Sequence, residues 1–195
     1  AEAVIQSAMW ASEPVPFDPM EKALHKAYEN SAAKDERGEY TMTHEYPLDG
    51  VPPMMTHIFE NKSGNRIIAA KGAPEAIIAV SRLTEAESTA MLDQVTALAE
   101  KGYRILGVAS SSFKGNNFPK RQQHLPFQWL GFVAFYDPPK PNIKSVFEQF
   151  YQAGIAVKII TGDNEVTTRA IAQQAGLENA GSSANGAQLM QLTEA

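Results

Sequence analysis

The sequence predicts a chain of mixed α/β (α+β) class in two parts, a twisted antiparallel sheet with flanking helices and then a partial parallel βαβ layer. The antiparallel part is indicated by two strand-like runs, residues 54–60 and 66–70, joined by the turn-forming residues 61–65. The parallel layer is indicated by the order strand, helix, strand, helix after residue 128. We therefore expect one domain over residues 1–127 and a second over residues 128–195.

Composition excludes several classes of function. The chain has 195 residues and a net charge of −5, which argues against a nucleic-acid-binding surface. It has no cysteine, so disulfides and thiolate metal sites are excluded. The four histidines lie far apart without metal-ligand spacing, and we interpret them as surface or packing residues and predict no metal site; they are His25, His44, His57 and His124.

No apolar run approaches the roughly 18 residues that a membrane-spanning helix needs. The chain begins at Ala1 rather than methionine, and a helical pattern still continues over residues 189–195. These two features predict that the sequence is a piece excised from a longer protein.

Two helix starts carry the residues of a capping box. Asp18 suits the N-cap, Pro19 suits the first helical position, and Glu21 falls where its carboxylate can reach back to the cap. Thr84 and Glu87 repeat the same spacing at the start of a longer helix. Residues 40–46 alternate as a half-buried strand does. Residues 103–109 form an apolar strand in which Arg104 is expected on the solvent face.

The stretch 155–164 predicts a buried parallel strand, a tight turn and the start of a helix over residues 165–175, which Gly176 ends. In open α/β sheets such a turn is where phosphate-bearing ligands bind. Thr161 offers a hydroxyl, and Asp163 could approach a metal-bound phosphate or a ribose. The alternative is that Asp163 or Asn164 only caps the helix and Thr161 ends the strand.

Taken in order, three short motifs closely resemble the cytoplasmic part of P-type cation-transporting ATPases. They are Lys-Gly-Ala-Pro-Glu at residues 71–75, Asp-Pro-Pro-Lys at 137–140 and Thr-Gly-Asp-Asn at 161–164. The resemblance covers about residues 18–190. It implies that the first part is the nucleotide-binding domain, and that the second is part of a phosphorylation domain similar to the haloacid dehalogenase superfamily.

The resemblance also implies roles for residues of the first part. Lys71 would line the adenine pocket, Gly72 would allow a close fit, and Glu21 would bond the adenine amino group unless it serves only as a cap. Arg104 would neutralise nucleotide phosphate, a task that suits a guanidinium group. Leu48 stands where the family commonly has an aromatic residue that stacks on adenine.

A lysine that usually follows that aromatic residue is replaced by Pro52 and Pro53. Leucine can contact a purine face but lacks the stacking geometry of a ring. We therefore expect weaker nucleotide affinity than is usual in the family.

In the second part, the resemblance implies that Thr161 bonds the phosphoryl group, Gly162 keeps the turn open and Asp163 lies near the nucleotide phosphates. A hinge between the two domains would comprise Asp137, Pro139 and Lys140.

The sequence contains neither the Asp-Lys-Thr-Gly-Thr motif, whose aspartate the family phosphorylates, nor the later Gly-Asp-Gly-x-Asn-Asp motif, which holds magnesium. Phosphoryl transfer needs a nucleophile and charge neutralisation. We therefore expect this chain to bind ATP or ADP, with Mg-ATP as the cofactor of the intact parent, and not to turn ATP over alone.

The expected partners are the membrane helices, the actuator domain, the rest of the phosphorylation domain and the transported cation, at the cytoplasmic face of a membrane. The motifs favour the calcium/sodium-pump branch and leave the ion unidentified. Two alternatives stay open: a fragment of a haloacid-dehalogenase-like phosphatase, and a non-catalytic nucleotide-binding or regulatory module.

Overall fold

The computed structural model describes residues 1–31 and 34–191, which divide into two compact units. The first comprises Ala1–Asp93 with Ile105–Ala134, and the second comprises Gln94–Arg104 with Phe135–Ala195. Each unit is described by itself below.

The first unit is built on a five-stranded sheet in which neighbouring strands follow one another in the sequence, in the order β1-β2-β3-β4-β5. The pairs β1–β2, β2–β3 and β3–β4 are antiparallel. This confirms the predicted antiparallel sheet and its central hairpin. The strands are β1 (Tyr40–Asp49), β2 (Met54–Asn61), β3 (Arg66–Gly72), β4 (Arg104–Ser111) and β5 (Phe127–Phe135).

Helices flank this sheet because the side chains of each strand alternate between two faces. One face carries an apolar cluster that includes Trp10, Tyr28 and Phe59, and the other a cluster that includes Ile58 and Phe127. The helices are α1 (Glu2–Trp10), α2 (Pro19–Ser31), α3 (Pro74–Val80) and α4 (Glu85–Ala99), the last of which runs into the second unit.

Side chains along β3 alternate between the two faces of the sheet, and this alternation determines the face on which the buried Lys71 lies. Ile68 and Ala70 belong to the cluster on one face, whereas Ala69 belongs to the cluster that contains α1 residues. Lys71 shares the face of Ala69 because the two are two residues apart. The lysine therefore lies under the segment that connects α1 and α2.

The two predicted helix starts differ in outcome. Thr84 and Glu87 form a capping box, with Thr84 N donating to Glu87 Oε2 at 2.8 Å and Glu87 N donating to Thr84 Oγ1 at 3.3 Å. Asp18 caps α2 as predicted, its Oδ1 accepting from Met20 N at 2.8 Å. The prediction that the Glu21 carboxylate bonds back to the helix cap is wrong, because this carboxylate turns inward and pairs with the buried ammonium of Lys71.

The second unit contains α5 (Ile143–Gln152), α6 (Glu165–Ala175) and α7 (Gly186–Leu189). Asn164 caps α6, with Oδ1 accepting from Val166 N at 2.8 Å, so the capping alternative holds for this residue. Gly176 ends α6 in the left-handed conformation at φ 77°, as the sequence predicts.

The prediction of a strand over residues 155–160 is wrong. The structure describes these residues, and they form no regular secondary structure. Its apolar side chains are largely exposed, Ile160 at 98%. A strand exists only where a neighbour takes up its N–H and C=O groups. The other strand of the expected parallel layer is β5, which lies instead beside β4 in the first unit's sheet.

The helical pattern predicted over residues 189–195 falls largely outside the described residues, since α7 ends at Leu189 and residues 192–195 are not described. Within residues 1–31 and 34–191, no helix combines the length and the apolar character needed to cross a membrane.

The close approach of β2 and β3 at Gly72 gives a first prediction. A Cβ at residue 72 would lie 2.6 Å from both Met54 Cα and Pro53 O, which are backbone atoms and cannot rotate away. We expect Gly72→Ala to lower the free energy of unfolding by about 1–3 kcal/mol, as overpacking does. Urea denaturation measures this, with Gly38→Ala as the control because a Cβ at residue 38 meets nothing within 4 Å. Equal midpoints for the two variants would contradict the prediction.

Candidate functional site

The most unusual group of the first unit is a buried ion pair. Lys71 Nζ donates to Glu21 Oε1 at 2.6 Å, and the two side chains are only 7% and 11% exposed. The same ammonium donates to Ser12 Oγ at 2.6 Å. The structure thus brings together two residues that the sequence singled out, Lys71 and Glu21, with one that it did not.

Three separate segments position this cluster of Lys71, Glu21 and Ser12. Lys71 comes from β3, Glu21 from the first turn of α2, and Ser12 from the end of α1. The Ser12 hydroxyl donates its one hydrogen to Ala8 O at 2.9 Å, which leaves its lone pairs for the ammonium. No sequence signal identified Ser12, because its part in the cluster depends on the packing of α1 against β3.

The electrostatics of the cluster follow from its burial. Burial lowers the pKa of Lys71, and the hydrogen bond and charge of Glu21 oppose that shift. Glu21 Oε1 also accepts from Glu13 N at 3.4 Å. Glu21 Oε2 is buried and has no hydrogen-bond partner among the described residues. The cluster therefore holds one unsatisfied acceptor next to an ammonium group that has three donors.

The other residues of the first unit that were considered for the adenine pocket differ in burial and in the sheet face on which they lie. Gly72 follows Lys71 and is buried where β2 and β3 approach closely. Leu48, in the last part of β1, is 63% exposed. Tyr46 pairs with Thr56, which pairs with Ala70, so the tyrosine lies on the sheet face opposite Lys71. Its hydroxyl donates to Pro119 O at 2.6 Å, away from the cluster.

In the second unit, the structure brings Arg104 and Asp163 together. Arg104 and Asp163 form an ion pair in which Nε lies 2.8 Å from Oδ1, with the side chains 46% and 25% exposed. Asp163 N in turn donates to Thr161 Oγ1 at 3.1 Å. Thr161 and Gly162 are exposed, so this turn presents a hydroxyl and a guanidinium group in one place.

The residues expected to form a hinge lie in a segment without regular secondary structure. Asp137 and Lys140 are exposed and Pro139 is half-buried. Lys140 O accepts from Ile143 N at 3.0 Å, which joins the segment to the start of α5.

The buried ion pair gives a second prediction. Lys71→Met leaves the Glu21 carboxylate buried without a counter-charge, and we expect a loss of about 3–5 kcal/mol in the free energy of unfolding. Glu21→Gln leaves the ammonium uncompensated in the same way. The double variant should lose clearly less than the sum of the two single losses, because neither buried charge remains.

Urea denaturation of the four proteins measures this coupling. The exposed ion pair of Lys34 with Glu39 supplies the control, since Lys34→Met is expected to leave the midpoint nearly unchanged. Additive losses at Lys71 and Glu21 would show that the pair does not stabilise the fold as proposed.

The chain is similar to known proteins over most of its length. Residues 15–142 match the family described as P-type ATPase, cytoplasmic domain N. A sodium/potassium exporting P-type ATPase of Schizosaccharomyces pombe is 32% identical in an alignment of 173 residues that covers 82% of this chain and 17% of that protein. A calcium-transporting ATPase of Bacillus subtilis is 31% identical in an alignment of 172 residues that covers 80% of this chain and 19% of that protein.

Calcium-transporting ATPase 1 of Saccharomyces cerevisiae is 28% identical in an alignment of 174 residues that covers 82% of this chain and 18% of that protein. The chain thus spans less than a fifth of the length of these relatives, and they match more of it than residues 15–142. The chain belongs to the P-type ATPase family, and residues 15–142 match the model of that family's cytoplasmic domain N.

Proposed function

We propose that the first unit binds the adenine ring of ATP or ADP at the cluster of Lys71, Glu21 and Ser12. The observation that carries this proposal is the buried ion pair, whose Glu21 Oε2 has no hydrogen-bond partner among the described residues. A buried acceptor without a partner is costly, so a ligand that donates to it gains the energy of a satisfied hydrogen bond.

Adenine matches the hydrogen-bonding groups of this cluster. Its exocyclic amino group is a donor and suits Glu21 Oε2, whereas its ring nitrogens are acceptors and suit an ammonium. Lys71 has three N–H donors, and its contacts with Glu21 and Ser12 use two of them. One donor of Lys71 and one acceptor of Glu21 therefore remain without a partner among the described residues, and the edge of adenine offers one acceptor and one donor to match them.

Gly72 supports the same proposal through the backbone. It follows Lys71 at the end of β3, where the absence of a side chain lets β2 approach within contact distance. That approach fixes the position of the strand end that carries Lys71. We propose that Gly72 serves the site by holding this backbone in place.

For the phosphate end of the nucleotide, we propose Arg104 as the neutralising group, with Asp163 near the phosphates or their Mg²⁺. Arg104 Nε is paired with Asp163, and the side chain is 46% exposed, so its other N–H groups, which have no partner among the described residues, can bind an anion. In the parent protein, Thr161 would bond the phosphoryl group and Gly162 would keep the turn open. Both are exposed at the turn before α6.

We further propose that residues 128–195 are this chain's share of a haloacid-dehalogenase-like phosphorylation domain; most of them, from residue 135 onward, lie in the second unit. Support comes from the order of the turn, the Asn164 cap and α6, and from relatives that match the chain beyond residue 142. Asp137, Pro139 and Lys140 would form the hinge to the nucleotide-binding domain.

The parent, we propose, couples ATP hydrolysis through an aspartyl phosphate to cation transport at the cytoplasmic face of a membrane. Relatives named as sodium/potassium-exporting and calcium-transporting ATPases support the calcium/sodium-pump branch. This chain has no Asp-Lys-Thr-Gly-Thr motif, so we expect it to bind Mg-ATP without turning it over. The rest of the pump would be its partner.

The experiment that tests nucleotide binding is a titration of the chain with ATP and ADP, with and without Mg²⁺, followed by amide chemical shifts. We expect shifts clustered at Glu21, Lys71 and Gly72. Glu21→Gln exchanges an acceptor-only carboxylate for an amide, and we expect it to weaken binding by about tenfold, the loss of one good hydrogen bond.

Lys34→Met is the control for this titration, because Lys34 is exposed and belongs to a surface ion pair. The absence of shifts at millimolar nucleotide, or shifts clustered away from β3 and α2, would overturn the proposal.

Leu48 gives a separate prediction about affinity. If this exposed leucine contacts the adenine face, Leu48→Phe supplies a ring that can stack, a contact of about 1 kcal/mol. We expect the dissociation constant for ATP to fall several-fold, measured by calorimetry. Val51→Phe adds the same ring at a fully exposed position nearby in the sequence and should leave the constant unchanged. Equal effects of the two variants would remove Leu48 from the site.

A further inference from the structure

A second polar group lies on the sheet face that carries Lys71. One ring nitrogen of His57 and one carboxylate oxygen from each of Glu13 and Glu45 lie within 4.8 Å of one another. The histidine is fully buried, Glu13 is half-buried and Glu45 is exposed. None of the three has a role in the proposed binding of nucleotide.

The fold brings these residues together from three segments. Glu45 of β1 lies directly opposite His57 of β2 in the antiparallel register, and His57 lies opposite Ala69 of β3. Glu13 comes from the connection between α1 and α2, which covers this face. Since the three positions are widely separated in the sequence, spacing alone does not reveal the group.

The hydrogen bond of His57 determines which nitrogen is available. Nδ1 lies 3.1 Å from the carbonyl oxygen of Ser12, and a carbonyl only accepts, so Nδ1 carries the hydrogen. In the neutral ring, Nε2 then has a bare lone pair. Nε2 is buried and has no hydrogen-bond partner among the described residues.

The His57 ring thus combines a nitrogen within 4.8 Å of two carboxylate oxygens with a buried lone pair that has no donor among the described residues. The ammonium of Lys71, on the same face of the sheet, is already bonded to Glu21 and Ser12. A metal ion would satisfy the nitrogen and both carboxylates at once.

We propose that His57 Nε2, with the carboxylates of Glu13 and Glu45, binds a divalent transition-metal ion of the Zn²⁺ class. An imidazole ligand favours Zn²⁺ and similar ions over Mg²⁺ or Ca²⁺, which prefer oxygen alone. The Nδ1–H bond to a backbone carbonyl is the contact that commonly orients a metal-binding histidine. The fourth position is left for water.

The distances allow this site with small side-chain adjustments. Ligand atoms around tetrahedral Zn²⁺ lie about 3.4 Å apart, given bonds of about 2.1 Å. The three atoms here lie within 4.8 Å of one another, so closure by at most about 1.4 Å is needed. Glu45 is exposed, and its side chain is free to make that movement and to admit the ion from solvent.

The test is a calorimetric titration of the chain with Zn²⁺ alone, in a buffer that does not chelate metals and without nucleotide. We expect one ion per chain with a micromolar or tighter dissociation constant, and no comparable binding of Mg²⁺. Glu45→Gln removes one ligand at an exposed position without disturbing the core, and we expect it to weaken Zn²⁺ binding at least tenfold.

His57→Gln should abolish the site, and thermal unfolding without metal shows whether this buried variant is still folded. The matched controls are His124→Gln and Glu148→Gln, both at exposed positions, which should bind Zn²⁺ as the unchanged chain does. A rise in Tm with Zn²⁺ should appear in the controls and not in Glu45→Gln. Weak binding that is equal in all variants, or affinity unaffected by Glu45→Gln, would overturn the proposal.

Discussion

The polar face of the first unit depends on the burial of one charge, that of Lys71. An ammonium in a central strand is tolerated only if a carboxylate and further hydrogen bonds compensate it. Glu21 and Ser12 provide that compensation at 2.6 Å each. The first turn of α2 and the end of α1 must therefore lie where they do, and the connection between them is held over the sheet.

This constraint explains why the two faces of one sheet differ in chemistry. The face with Tyr46, Ile58 and Phe127 is an apolar core, closed by α3 and by the segment before β5. The other face is apolar around Trp10 and Phe59 but becomes polar where α1 ends. Both proposed sites, for adenine and for a metal ion, lie in that polar part because buried groups there lack partners.

Ser12 connects the two proposed sites. Its hydroxyl accepts from Lys71, and its carbonyl accepts from His57 Nδ1 at 3.1 Å. Glu13, the next residue, donates its N–H to Glu21 and offers its carboxylate toward His57. Ser12 and Glu13 thus fix the orientation of Lys71 and His57, which lie on neighbouring strands. Ser12 and Glu13 themselves lie outside any helix or strand.

Local chemistry could be read from the sequence because it depends on neighbours along the chain. The hairpin of β2 and β3, the Thr84 capping box, the Asp18 cap and the Gly176 helix end each follow from residues a few positions apart. The order of three short motifs also determined the family, which the domain N match over residues 15–142 confirmed.

Tertiary structure decided the features that depend on distant partners. Glu21 has the spacing of a capping carboxylate, yet it turns inward because Lys71, 50 residues away, needs a counter-charge. Residues 155–160 have the composition of a buried strand but form none among the described residues, since a strand requires a neighbour to receive its hydrogen bonds. His57, Glu13 and Glu45 meet only because strand register and the α1–α2 connection place them on one face, which no spacing in the sequence records.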